Sequence, residues 1–467
     1  LFFSLRQLLI CIGGTFQYGF SVSVMTSPSV FIKELVNKSC VHRYDRTLKE
    51  WEVSLIWSFT VSIFCIGGLL GSLTAGSLNS RFGRKRCLLM NNFVAIFGAV
   101  LMLLSRAANS FEMIMVGRFL YGINAGVGLS AQAMYLTESA PKRLRAMVGV
   151  TIATFLSLGK FCGQLLGIRE LLGTENNWPW LLGFNGFAAL FQLCTLPLLP
   201  ESPRFLLLER GNFQASENAF RKLWGKNDYN KEIEELLQEK AALQCIRSCS
   251  VLELIQNRTV RWQLLTIVIA FTALQLSGIN AVYFYSFDVF RAAGIQEHRL
   301  AYAALGTGLC EVSTSVACFM IIESMGKKGL LFRGYVAMAA TLGLLSVTIY
   351  FQKTVWWMPY CSMVLVFLFI FFFSSGLPIL VASISAPNCP YACSPDGLDK
   401  WGNFCFLMFM AVCLICGIHV RFNMPETKNR TALEISAEFE KMHAKDKASE
   451  KKKPSDIYEI KVQETKL

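Results

Sequence analysis

The feature that most restricts this chain is a recurrence of apolar blocks of about 20 residues, each long enough to cross a bilayer core as a helix, parted by short charged segments. Only 16% of residues are charged and 53% are apolar, with a mean hydropathy of +0.43. Soluble domains carry about 25% charged residues. There is too little polar surface here to cover a globule in water, so the blocks read as membrane spans and the chain as an all-α membrane protein.

The formal charge of +13 is explained by where the basic residues stand. They cluster as Arg81, Arg84, Lys85 and Arg86, then Lys142, Arg143 and Arg145, then Lys327, Lys328 and Arg333, after alternate spans. That is the positive-inside pattern, which assigns these segments to the cytosol and argues against a nucleic-acid partner. The 16 cysteines hold one CxxC spacing, Cys413 and Cys416, which like Cys162, Cys310, Cys318 and most of the others falls inside an apolar block, as suits buried structural thiols. The histidines His42, His298, His419 and His443 are scattered and predict no metal site. No nucleophile-base pair or phosphate loop stands out; Gly67-Gly68-Leu69-Leu70-Gly71 lacks the Lys-Ser/Thr ending and reads as close helix packing, so no enzyme and no cofactor are expected.

Hydropathy places six spans in the first half, near 7–27, 54–78, 87–105, 111–137, 146–167 and 179–199. The seventh to tenth follow near 263–287, 300–322, 330–351 and 357–385, and a last one near 402–422. The expected division is an N-terminal six-span bundle over 1–200, a charged cytosolic helical linker over 201–262, a C-terminal bundle of about five spans over 263–425 and a cytosolic tail over 426–467.

The halves resemble one another. Arg81-Phe82-Gly83-Arg84-Lys85 is echoed by Met325-Gly326-Lys327-Lys328, and Pro200-Glu201-Ser202-Pro203-Arg204 by Pro425-Glu426-Thr427-Lys428. Parallel six-span repeats are the layout of the major facilitator fold. Gly83 and Gly326 stand 243 positions apart but Pro200 and Pro425 only 225, so the second copy is 18 residues shorter between its landmarks. The shortfall coincides with Ser385 to Gly397, where Pro387, Pro390 and Pro395 cannot continue a lipid-exposed helix. The C-terminal half is therefore expected to be one helix short, lacking the equivalent of an eleventh span.

Gly117-Arg118-Phe119, Tyr135-Leu136-Thr137-Glu138-Ser139-Ala140-Pro141, Pro200 to Arg204, Gln275-Leu276-Ser277-Gly278-Ile279-Asn280 and Pro425 to Lys428 follow one another at span ends. In this order they resemble the facilitative glucose and fructose transporters, the sugar-porter branch of the major facilitator superfamily. The resemblance implies a plasma-membrane uniporter with cytosolic termini that binds a hexose at the midplane between halves. It implies sugar ligands at Gln164, Gln275 and Asn280, whose amides donate and accept at once. It also implies a cytosolic latch of Arg84, Glu138, Arg145 and Arg204, with Glu323 in the second half, that holds the outward-facing state.

Three departures bear on substrate. Leu274 stands where glucose carriers have a first glutamine, Glu311 where they have an asparagine, and Lys160 lies one helical turn before Gln164. Glu311 and Leu274 look more like the second class of the family, which includes fructose carriers and a urate-carrying relative. Lys160 and Glu311 are expected to share a cavity and to pair or to touch the substrate, because ionisable residues in spans face a cavity or each other. Fructose and glucose are the leading substrates; a urate carrier and a truncated, non-transporting form are the alternatives. Phe16 to Ser29 holds no carboxylate of the kind sugar-proton symporters bury in their first span, which favours uniport. Asn37-Lys38-Ser39, in the first external loop, is a candidate glycosylation site. Partners are expected to be the small-molecule substrate and lipid, with the chain a monomer or weak oligomer.

Overall fold

A computed structural model describes residues 10–45, 47–141, 145–224, 299–321, 327–351, 357–381 and 403–423, together with single positions between 233 and 296. Among these residues every regular element is helical. The spans run Glu50–Phe82, Arg84–Leu104, Phe111–Ser139, Arg145–Leu166, Leu300–Ile321, Lys327–Tyr350, Met358–Val381 and Asn403–Asn423, close to the blocks read from hydropathy. Five described stretches, 50–82, 84–104, 111–139, 178–198 and 332–350, are long and apolar enough to cross a membrane. The chain is a multi-pass membrane protein of the all-α class. The proposed gap near 385–397 and the seventh span lie outside the described residues, apart from a few isolated positions.

Local sequence explains the helix ends. The second span runs to Phe82 and stops at Gly83, whose φ of 97° only glycine adopts freely, and the third starts at Arg84. A Cβ at Gly83 would also meet Glu201 Oε2 at 2.7 Å. After the sixth span, Ser202 caps the helix Pro203–Leu208 by accepting from the Phe205 amide at 3.3 Å, with Pro203 at the first helical position.

The first span contains a π-helical turn, Ile12–Phe16, before continuing as Gln17–Ser23. The Thr15 amide donates to Gln132 Oε1 at 2.7 Å, and Gln132 Nε2 donates to Thr15 Oγ1 at 3.1 Å. Such turns leave backbone groups needing outside partners. Gln132, on the fourth span, supplies one.

Spans two and four cross through glycine. Cβ atoms at Gly67 and Gly71 would lie 2.2 and 2.5 Å from the carbonyl oxygens of Phe119 and Ile123. The Gly67 to Gly71 run is thus a packing surface, as its sequence suggested. In lipid, where apolar burial does not drive helices together, such backbone contact is what binds them. One element was missed from sequence: Ser29–Tyr44 is helical rather than a loop, with Ile32, Leu35, Val36 and Cys40 buried at helical spacing.

Candidate functional site between the two halves

Two spans from opposite halves meet along a polar seam. On the fifth span Ser157, Lys160 and Gln164 recur every three or four residues and share a face; on the eighth, Thr307, Glu311 and Ser315 recur every four. The helices run antiparallel, so positions climbing one pair with positions descending the other. Ser157 Oγ lies 2.9 Å from Ser315 Oγ, Lys160 Nζ 2.9 Å from Glu311 Oε1, and Gln164 Nε2 donates to Thr307 Oγ1 at 3.2 Å. Beyond the helix end, Tyr302 OH donates to Glu170 Oε1 at 3.0 Å.

The ion pair is enclosed: the side chains of Lys160 and Glu311 are 6% and 0% exposed. Ser157 Oγ adds a donor to Glu311 Oε1 at 3.3 Å. Breaking such a pair by removing one partner strands a buried charge and costs about 3–5 kcal/mol. Lys160 is held from behind, because Ser23 Oγ on the first span donates to its carbonyl at 2.8 Å. Gly308 lets the helices approach, since a Cβ there would sit 2.2 Å from Gln164 Oε1. Gln164 is buried, and its Oε1 has no hydrogen-bond partner among the described residues.

The expected pairing of Lys160 with Glu311 therefore forms, and Gln164 stands one turn away. Ser157, Thr307 and Ser315 were not singled out from sequence, because serine and threonine are common in spans and only the facing helix distinguishes these three. Gln275 and Asn280 lie outside the described residues. Between them Ser277, Gly278 and Ile279 are buried, and Gly278 has φ of 86° with the Phe409 ring 2.4 Å from where a Cβ would stand. Both features require glycine at that point of the motif.

A second cluster lies at the end of the first half where the third span begins. Arg84 Nη2 meets Glu138 Oε1 at 2.9 Å and Arg84 Nη1 meets Glu209 Oε1 at 2.7 Å, while its guanidinium lies 4.9 Å from the centre of the Phe205 ring. Glu138 Oε2 accepts from Ser202 Oγ. Glu201 Oε1 accepts from the backbone amides of Lys85 at 2.9 Å and Ser202 at 3.0 Å, a carboxylate at the positive end of the third span. Arg84 and Glu138 come together as expected. Glu209 joins them from beyond the Pro200 to Arg204 motif. Arg204 is half-buried in the same helix, Arg145 opens the fifth span, and Glu323 falls outside the described residues.

Residues 7–394 match the family model described as "Sugar (and other) transporter". The chain belongs to this family. It is 40% identical to human solute carrier family 2, facilitated glucose transporter member 9, over 92% of this chain and 84% of the relative. It is also 40% identical to human member 11, over 93% of each, and 37% identical to member 5 of Bos taurus, over 94% and 92%. The structure of the proton:xylose symporter XylE bound to 6-bromo-6-deoxy-D-glucose superposes with a TM-score of 0.76 over 94% of this chain and 99% of that one, at 18% identity. The fold is that of the major facilitator superfamily, and this sugar transporter family member is not an enzyme.

Two further features of this transporter need placing. Arg118, from the Gly117-Arg118-Phe119 motif, is wholly buried in the first half, where Nη1 donates to the Ser21 carbonyl at 2.6 Å and the guanidinium lies 4.5 Å from the Phe64 ring centre. Asn37 is exposed on the helix Ser29–Tyr44, whereas Ser39 is buried and its Oγ donates to the Asn109 carbonyl at 2.8 Å. Among the described residues no three His, Cys, Asp or Glu side chains are grouped to hold a metal.

Proposed function

We propose that this transporter carries a hexose, fructose or glucose, down its gradient across the plasma membrane by alternating access, with both termini cytosolic. The observation that carries the reading is Gln164: one end of its amide is tied across the halves to Thr307, and the other, Oε1, is an acceptor without a partner among the described residues. A buried amide oxygen left open costs about 1–3 kcal/mol, and a sugar hydroxyl arriving between the halves would satisfy it. Gln275 and Asn280 are proposed as further ligands on the seventh span. The names of the relatives, facilitated glucose transporters, support the same substrate class.

Uniport is favoured by the surroundings of Arg118. The first span offers it the Ser21 carbonyl, and Phe16 to Ser29 contains no acid to carry a proton beside it. Arg84, Glu138, Arg145, Arg204 and Glu323 are assigned the latch, in which paired charges at helix ends must part as the halves rock. The urate alternative draws its support from Lys160, whose charge Glu311 compensates.

Uptake of labelled fructose, glucose and urate into vesicles holding the full chain tests this reading. Saturable hexose uptake that survives a protonophore is expected, with Gln164→Ala lowering it at least about tenfold, the worth of one hydrogen bond left unmade at a polar site. Urate uptake without hexose uptake would overturn the substrate, and loss of hexose uptake on collapsing the proton gradient would overturn uniport.

A further inference from the structure

The Lys160–Glu311 pair has an energetic oddity. Holding two helices together does not call for it, since well-packed apolar side chains often hold a buried site as well as an ion pair or better. Its position is more informative than its strength. It bridges the two halves one turn from Gln164, with the Ser157–Ser315 contact on one side and the Gln164–Thr307 contact on the other. A lone ammonium here would act across a medium that screens charge poorly, and its field would reach any solute between the halves.

We propose that the pair sets the charge class of the permeant: Glu311 discharges Lys160 inside the protein, so the pathway accepts an uncharged polyol and rejects a carboxylate of the same size. This rests on the transport reading above and adds a determinant of specificity to it. Either charge alone would change what passes. With Glu311 neutralised, Lys160 loses its compensating carboxylate one turn from Gln164, and the site favours a hexose-sized anion. With Lys160 neutralised, Glu311 is left buried beside the Ser157 hydroxyl and disfavours both kinds of solute: the anion by repulsion, the neutral sugar because the seam no longer closes. Arg118 is a poor rival for the role, because it sits inside the first half under the Phe64 ring rather than between the halves.

The experiment uses the full chain in vesicles with three labelled probes, fructose, glucose and gluconate, the last a six-carbon polyol bearing one carboxylate. Wild type, Glu311→Gln, Lys160→Met and the double variant are compared, with the melting temperature of each in detergent measured with and without gluconate. Wild type is expected to take up hexose and not gluconate. Glu311→Gln should gain gluconate uptake at least about tenfold over wild type and be stabilised by gluconate, as expected for exposing one buried charge. Lys160→Met should lose hexose uptake and gain nothing. The double variant should recover hexose uptake relative to either single and show no response to gluconate. A folded Glu311→Gln protein indifferent to gluconate would sink the proposal, as would a double variant no better than the singles. If no form moves hexose, the transport reading fails, and the gluconate-dependent melting shift of Glu311→Gln, present or absent, still decides the charge filter.

Discussion

Arg84 shows how one side chain can serve two carboxylates of very different standing. Its side chain is 5% exposed, Glu138 is 11% exposed and Glu209 is 34% exposed. The contact with Glu138 is nearly dry, so Glu138→Gln should cost about 1.5–3 kcal/mol, the worth of a charge-assisted hydrogen bond, with Glu209 still compensating the guanidinium. The contact with Glu209 is partly wet, so Glu209→Gln should cost no more than about 1 kcal/mol. Thermal unfolding of the two purified variants in detergent checks the ranking, and a larger loss for Glu209→Gln would show that Glu209 is the real anchor. Arg84 and Glu138 were legible in sequence because each stands in a motif at a span end. Glu209 was not, because it lies in a charged stretch where one more glutamate reads as a solvated surface residue. Lys160 and Glu311 were legible for the opposite reason: a charge inside an apolar block is expensive, so its presence demands a partner.

At the scale of elements, the sequence gives spans readily and their contacts poorly. Length and hydropathy place the helices 111–139 and 300–321 within a few residues, since an apolar run of about 20 residues satisfies its own backbone in lipid as a continuous helix. The helix Ser29–Tyr44 escaped because Lys33, Glu34, Asn37 and Lys38 dilute the apolar signal, although its buried positions keep helical spacing. Its exposed Asn37 gives a direct prediction: peptide-N-glycosidase should increase the gel mobility of the chain expressed in a glycosylating cell, and Asn37→Gln should abolish that change. Unaltered mobility of the untreated chain on making Asn37→Gln would remove the site. Helix approach is less visible still. Nothing in the sequence distinguishes Gly308 from Gly306, yet a Cβ at Gly308 would meet Phe161 Cα at 3.0 Å and Gln164 Oε1 at 2.2 Å, whereas one at Gly306 would meet only the tip of the Phe367 ring at 3.0 Å. Gly308→Ala should therefore lower stability by about 1–3 kcal/mol through overpacking, and Gly306→Ala by less, as measured by melting in detergent. The reverse order would mean that spans five and eight separate easily.

For the whole molecule, the proposed alternating access requires that some parts of the interface between halves part during turnover. The fifth and eighth spans touch from Ser157 and Ser315 past the ion pair to Gln164 and Thr307, with Glu170 and Tyr302 in contact beyond the helix end. Two rigid bodies rocking about a central site must open such a seam at one end or the other. The middle, where Lys160 meets Glu311, then moves least, which accords with a buried ion pair that need not be broken. Ser157 and Ser315 lie toward one end, and their hydroxyls are 2.9 Å apart, a separation from which a cysteine pair can close into a disulfide. With Cys162 and Cys310 replaced by serine to remove neighbouring thiols, Ser157→Cys with Ser315→Cys should cross-link on oxidation. Hexose uptake should then fall at least about tenfold, as for a carrier locked in one state, and return on reduction. Undiminished uptake by a fully cross-linked protein would place the axis of rocking at Ser157 and Ser315, and the opening at the Glu170 end alone.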